Sequence, residues 1–331
     1  MRKGLHLMGE ELRPPSNRAR RHLLSIADLD RDDIERLLAT ARSFARSLER
    51  ELKKLPTLRG RTVVNVFYES STRTSSSFEL AAKRLSADTM SIKAAGSAVD
   101  KGESLKDTAL TLDAYDPDVI VLRHPQIGAP QLVARLTEAH VVNAGDGKHQ
   151  HPTQALLDLY TLQEAFDRLD GLHVAIVGDV LHSRVARSLI EALGRVGAHV
   201  TLVAPPTLLP RGIDAMGCEV SSDIQAIGAA DVVYCLRMQR ERMQAGASYI
   251  PSLREYAACF GITPERLRPG QKVMHPGPMN RGVEIDPRVA DGDTLIETQV
   301  RAGLVVRMAV LYDLLTHGPV VVPVSQLEGV A

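Results

Sequence analysis

The chain has 331 residues, 44% of them apolar and 24% charged, with 40 Lys plus Arg set against 40 Asp plus Glu. That length accommodates two domains with cores of their own, and the composition is that of a globular protein. Balanced charge excludes a general affinity for nucleic acid or an anionic membrane, so any anion site must be local, and no apolar run reaches the roughly 18 residues of a membrane span.

Residues 1–22 carry six basic and two acidic side chains around Pro14, Pro15 and Ser16. No apolar stretch follows Arg2 and Lys3, so this is not a secretory signal, and a flexible N-terminal extension over 1–20 is expected. From Asp30 to Leu52, Ile34, Leu37, Leu38, Ala41, Phe44, Ala45 and Leu48 mark an amphipathic helix ended by Pro56. Short β-rich runs then alternate with helical stretches. Strands are predicted at Thr62 to Phe67, Asp88 to Ile92, Val119 to Leu122 and His140 to Asn143, with helices after Thr72, across Ser104 to Tyr115 and across Pro130 to Glu138. Such alternation indicates βαβ units and a parallel sheet covered by helices.

A long helix opens at His151-Pro152, with Ala155, Leu159, Leu162 and Phe166 along one face, and closes at Asp170-Gly171. The alternation resumes with strands at His173 to Val177, Ala198 to Val203, Cys218 to Ser221, Asp231 to Leu236 and Lys272 to Met274, before a last apolar helix from about Leu295 to Leu315. The expected fold class is therefore α/β: two domains, each a parallel sheet covered by helices, joined by the long helix. Cys218, Cys235 and Cys259 are too widely spaced for a CxxC pair and read as free, buried thiols in a reducing, cytoplasmic setting.

The most informative stretch is Phe67 to Leu85. An apolar strand delivers the chain to Ser71-Thr72-Arg73-Thr74, and Phe78, Ala81, Ala82 and Leu85 follow at helical spacing. A helix N-terminus offers unpaired N–H groups and the positive end of the macrodipole, while Arg73 adds a planar fork of donors suited to phosphate. Ordinary capping is the competing reading, since Ser76 with Glu79 scores as a capping box that would start the helix later. A second test is independent of this turn. Ligands of open parallel sheets lie beyond the carboxyl ends of the strands, and there the chain places Glu69, Arg123, His124, His151, Gln154, Arg184, Arg237, Gln239 and His275-Pro276-Gly277-Pro278.

Ser71-Thr72-Arg73-Thr74 followed by Ser77-Phe78-Glu79 resembles the carbamoyl phosphate motif of the aspartate and ornithine carbamoyltransferase family; Arg123-His124-Pro125-Gln126 and His151-Pro152-Thr153-Gln154 match its next two motifs. The resemblance covers about residues 21–318. It implies that Ser71, Thr72, Arg73 and Thr74 hold the phosphate of carbamoyl phosphate, that Thr74, Arg123 and His151 surround its carbonyl oxygen, and that Gln154 holds the carbamoyl amide. Ser97 and Lys101 match a loop lent to the neighbouring subunit's site, with Lys101 acting in catalysis and toward both substrates, and Gly277 and Pro278 complete the carbamoyl phosphate set. A homotrimer is thereby implied, with a larger assembly alongside a regulatory or dihydroorotase-type chain left open. The family also assigns the last helix to the first half, giving a carbamoyl phosphate domain of 21–150 plus 296–331 and a linker helix with aspartate domain over 151–295.

Arg184, Arg237 and Gln239 decide the substrate branch. Two arginines facing one small site suit a dicarboxylate, which points to L-aspartate, and the His-Cys-Leu-Pro motif of the ornithine branch is replaced by His275-Pro276-Gly277-Pro278. The implied reaction is direct attack of the aspartate amine on carbamoyl phosphate in pyrimidine biosynthesis, without cofactor or metal. The alternatives are a carbamoyltransferase for another amino acid such as ornithine and a non-catalytic binding subunit. A metal site on His140, His149 and His151 lacks a carboxylate in motif. A dinucleotide site at Val177-Gly178-Asp179 lacks GxGxxG, and no GxxxxGK[ST] run marks a P-loop.

Overall fold

The structure is a computed structural model that describes residues 22–51, 53–93, 102–239 and 249–316. Helix α1 (Arg31–Ser47) is capped by Asp30, whose side chain accepts from Asp33 N. It stops well short of Pro56, because the apolar stripe runs out and Glu49, Arg50 and Glu51 are exposed. The first half continues β1 (Thr62–Phe67), α2 (Thr72–Arg84), β2 (Asp88–Lys93), α3 (Leu105–Asp113), β3 (Val119–His124), α4 (Ala129–Leu136) and β4 (His140–Asp146). Its strands form a parallel sheet of order β2-β1-β3-β4.

Helix α5 (Pro152–Phe166) leads to the second half: β5 (His173–Val177), α6 (Arg184–Arg195), β6 (His199–Val203), β7 (Glu219–Ser221), β8 (Val232–Cys235), α7 (Leu253–Phe260), β9 (Lys272–Met274) and the short α8 (Pro287–Ala290). This sheet is also parallel, of order β7-β6-β5-β8-β9. Helix α9 (Ile296–Thr316) returns to pack on α1, α2 and α5.

One apolar cluster runs from Val63, Val119 and Val142 of the first sheet through Leu38, Phe78, Leu156 and Val306 to Val174 and Ile176 of the second, and separate clusters close the outer face of each sheet. Helix α5 is buried all round from Pro152 to Leu162, not along one face as its periodicity suggests, because α1, α6 and α9 enclose it. Cys218 and Cys235 are buried as expected, whereas Cys259, near the end of α7, is exposed. Among the described residues no helix is long and apolar enough to cross a membrane.

Candidate active site

Both sheets reverse their winding at one point, between β1 and β3 in the first and between β5 and β8 in the second. Parallel sheets open a crevice at such switch points, beyond the carboxyl ends of the strands. Every described residue assigned to the site from sequence lies at or beyond the carboxyl end of a strand or in the first turn of the helix after it. Ser71 is the N-cap of α2 and Thr72, Arg73 and Thr74 its first turn, so the helix starts before the Ser76/Glu79 capping box. The Ser71 hydroxyl makes no capping bond, which leaves the first-turn N–H groups for a ligand. Beside this turn Arg123 sits at the end of β3 in register with Phe67 of β1.

The halves meet at Glu69. Its Oε2 accepts from Arg184 Nη2, at the start of α6, and lies 3.3 Å from Arg123 Nε. One carboxylate thus joins an arginine of the first half to one of the second. Arg184 is only 2% exposed, and its Nη1 is buried with no hydrogen-bond partner among the described residues. A buried guanidinium with half its fork unused is a ready site for a carboxylate. It lies flat on Gly145, where a Cβ would come within 3.0 Å of Arg184 Cζ. Arg237 Nη2 donates to Gln239 Oε1 at 3.1 Å, and Gln239 N donates to Asp179 Oδ2 at 3.0 Å. Asp179 Oδ1 in turn meets His182 Nδ1 at 2.8 Å, so the turn before Arg184 and the segment after β8 are tied together.

A second contact between the halves forms at Gly277, which packs against the Arg73 guanidinium. A Cβ there would lie 2.9 Å from Arg73 Cζ, and Gly277 has φ +65°. On the sequence expectation that Arg73 binds phosphate, Gly277→Ala is expected to displace it and raise the half-saturating carbamoyl phosphate concentration about tenfold. Titration of initial rates checks this; an unchanged value would remove Arg73 from the phosphate grip. The loop is held by its own histidine, since Gly277 N donates to His275 Nδ1 at 2.8 Å and His275 Nε2 faces Glu284 Oε1 at 3.2 Å.

His151 is the N-cap of α5 and buried, and its backbone N donates to Ser188 Oγ of α6 at 2.7 Å. The loop before it is clamped by Asp146, whose Oδ1 accepts from Asn143 Nδ2 and Gln150 N and whose Oδ2 accepts from Gly128 N and meets His149 Nδ1. Burial alone would raise this carboxyl, but His149, Asn143 and the Gly128 N–H outweigh it and hold it below its ordinary value. His149 is raised, chiefly by its bond to Asp146. The Asp146 contribution to stability is thus present above about pH 4 and lost as pH falls through its depressed pKa. That of His149 is full below about pH 6.5 and lost as pH rises through its elevated one. Asp146→Asn is expected to lose about 1.5 kcal/mol near neutrality and to flatten the acid limb of a denaturation-versus-pH profile; an unaltered profile would refute the clamp.

Gln154, in the first turn of α5, donates Nε2 to Asp158 Oδ1 at 3.1 Å. Ser97 and Lys101 lie outside the described residues. His140, one of the histidines weighed as a metal ligand, stacks edge-on against His22, and among the described residues no group of three or more His, Cys, Asp or Glu side chains can hold a metal. Sequence reasoning missed the polar groups behind the site: Asp158, Tyr234 and Gln299. The signal available for Asp158 is an acid four residues after Gln154 among Leu156, Leu157 and Leu159.

The fold and this constellation define a class: a two-sheet α/β protein with an uncapped helix N-terminus beside a crevice where one carboxylate joins an arginine of each half. Residues 21–164 match the family model for the carbamoyl-P binding domain of aspartate/ornithine carbamoyltransferase, and residues 170–314 that for its Asp/Orn binding domain. The chain belongs to the aspartate/ornithine carbamoyltransferase family. It is 58% identical over 301 residues to an aspartate carbamoyltransferase catalytic subunit of Pelotomaculum thermopropionicum, covering 89% of this chain and 96% of that one. With the catalytic subunit of Salinispora arenicola the identity is 58% over 304 residues, covering 89% and 98%. Among solved structures, a Trypanosoma cruzi aspartate transcarbamoylase in complex with carbamoyl phosphate and aspartate matches with TM-score 0.79 and 32% identity, over 88% of this chain and 95% of that one. The catalytic subunit of M. jannaschii aspartate transcarbamoylase matches with TM-score 0.77 and 36% identity, over 88% and 97%.

Proposed function

We propose that the chain transfers the carbamoyl group of carbamoyl phosphate to the amine of L-aspartate, giving N-carbamoyl-L-aspartate and phosphate, by direct attack at a site between its two halves. The observation that carries the site reading is Glu69, which holds Arg123 beside the α2 N-terminus and Arg184 of the second half on one carboxylate oxygen. A carbonyl at Arg123 and a carboxylate at Arg184 are then neighbours, as the attack requires.

In this reading the first-turn amides and hydroxyls of Ser71 to Thr74, with Arg73, hold the phosphate at the positive end of α2. Thr74, Arg123 and His151 donate to the oxygen that becomes the oxyanion of the tetrahedral intermediate. Gln154 receives the carbamoyl NH2, while Gly277 and Pro278 close the site against Arg73. Arg184, Arg237 and Gln239 bind aspartate. Ser97 and Lys101 would come from a neighbouring subunit of a homotrimer, and the protein would act in the cytoplasm in pyrimidine biosynthesis. Both rest on the likeness to the family. We assign α9 to the carbamoyl phosphate half, supported by its packing on α1 and α2.

The test is carbamoyl transfer from carbamoyl phosphate, assayed side by side with L-aspartate and L-ornithine on metal-stripped protein. Product with aspartate alone is expected. Product with ornithine would overturn the roles of Arg184, Arg237 and Gln239, and loss of activity on metal removal would contradict a purely side-chain mechanism.

A further inference from the structure

Behind the crevice, one buried carboxylate collects donors from three elements. Asp158 of α5 is fully buried; its Oδ1 accepts from Gln154 Nε2 of α5 at 3.1 Å and from Gln299 Nε2 of α9 at 2.7 Å, and its Oδ2 accepts from Tyr234 Oη of β8 at 2.7 Å. A carboxylate in this position offers only acceptors, so each glutamine must turn its NH2 toward it and its carbonyl oxygen away. For Gln299 the consequence is visible, because the outward Oε1 accepts from His275 N at 2.9 Å, at the root of the loop that brings Gly277 to Arg73. For Gln154 the same constraint leaves Oε1 with no donor among the described residues, on a side chain 8% exposed at the start of the helix that His151 caps.

We propose that Asp158 is a positioning residue that fixes the amide orientation of Gln154, and so gives the site its selectivity for a substrate carrying an N–H donor where the carbamoyl NH2 lies. An amide free to rotate would present its NH2 to the carbamoyl NH2 for part of the time, donor against donor, and an unmet buried donor is penalised more than a made bond is rewarded. The same carboxylate holds Gln299 and thereby the His275 to Pro278 loop, so the two walls nearest the carbamoyl group share one anchor. Burial pushes Asp158 up to about 7 against the opposing pull of its three donors and of Arg307. A proton taken up on Oδ2 leaves Oδ1 as the acceptor for both glutamines but requires the Tyr234 hydroxyl to turn its own proton away from Asp158.

The inference rests on Gln154 as the acceptor for the carbamoyl amide, and the test separates the two. Acetyl phosphate has the size and charge of carbamoyl phosphate with a methyl in place of NH2. Wild-type protein is expected to bind carbamoyl phosphate more tightly, and Gln154→Ala to reduce that preference about tenfold; an intact preference there overturns the Gln154 reading itself. Asp158→Leu, an apolar side chain forked like aspartate, is expected to reduce the preference equally, with acetyl phosphate affinity within about twofold of wild type. Asp158→Asn, which keeps a carbonyl oxygen for both glutamines, and Tyr234→Phe, which removes a bond of the same network, are expected to retain it. Equal weakening of both phosphates by Asp158→Leu, or loss of preference in Tyr234→Phe, overturns the proposal in favour of a general structural role. Neutron diffraction of the deuterated wild-type protein gives an answer that does not depend on any variant folding. It is expected to place the deuterated amide nitrogen of Gln154 toward Asp158, and the reverse orientation overturns the proposal.

Discussion

His151→Ala is expected to lower turnover about a hundredfold to a thousandfold while leaving aspartate saturation nearly unchanged. The imidazole is buried at the N-terminus of α5, on a loop held by Asp146 and by the bond from His151 N to Ser188 Oγ. A donor placed before the reaction begins costs no reorganisation when the oxyanion forms, so its removal raises the barrier and leaves ground-state binding intact. The backbone bond to Ser188 survives the substitution, which separates loss of the ring from loss of the loop. Steady-state kinetics in both substrates checks the split; turnover within a few-fold of wild type would take His151 out of the catalytic set.

Arg237→Ala is expected to act on the other substrate. A charge-assisted fork to a carboxylate contributes about 1.5–3 kcal/mol, so the half-saturating aspartate concentration should rise roughly tenfold to a hundredfold, with carbamoyl phosphate binding little altered. Arg184 is less suitable for this test, because its removal also strips Glu69 of a partner and loosens the junction with Arg123. Removing the Arg237 side chain frees the Gln239 carbonyl, but Gln239 stays anchored through its backbone N to Asp179. Aspartate saturation like that of wild type would contradict the carboxylate role.

Much of this architecture is legible in the chain because both sheets are parallel and buried. Runs such as Thr62 to Phe67 and His173 to Val177 are apolar on both faces apart from Asn65 and their first residues, and the structure keeps those boundaries. The residues that follow them are legible for the same reason: the carboxyl end of a parallel strand is where the chain must turn, and Ser71 to Thr74, Arg123, Arg184 and Arg237 all stand there. Pairings across the halves are not legible. Glu69 with Arg184 spans 115 residues of sequence and Asp158 with Gln299 spans 141, and no local periodicity encodes either. The exposure of Cys259 is equally hidden, because apolar neighbours in sequence do not say which face of α7 a thiol occupies. The early stop of α1 is hidden too, since proline marks the latest place a helix can end and not the point where its buried face does.

Where the two substrates lie is the central claim, and one measurement addresses it: a crystal structure of the protein with a bisubstrate analogue that joins a phosphonate to L-aspartate. The phosphonate is expected at the first-turn amides of Ser71 to Thr74 beside Arg73, the central carbonyl at Arg123 and His151, and the two carboxylates at Arg184 and Arg237. A phosphonate bound away from the α2 N-terminus, or carboxylates that leave Arg184 and Arg237 untouched, would contradict that placement.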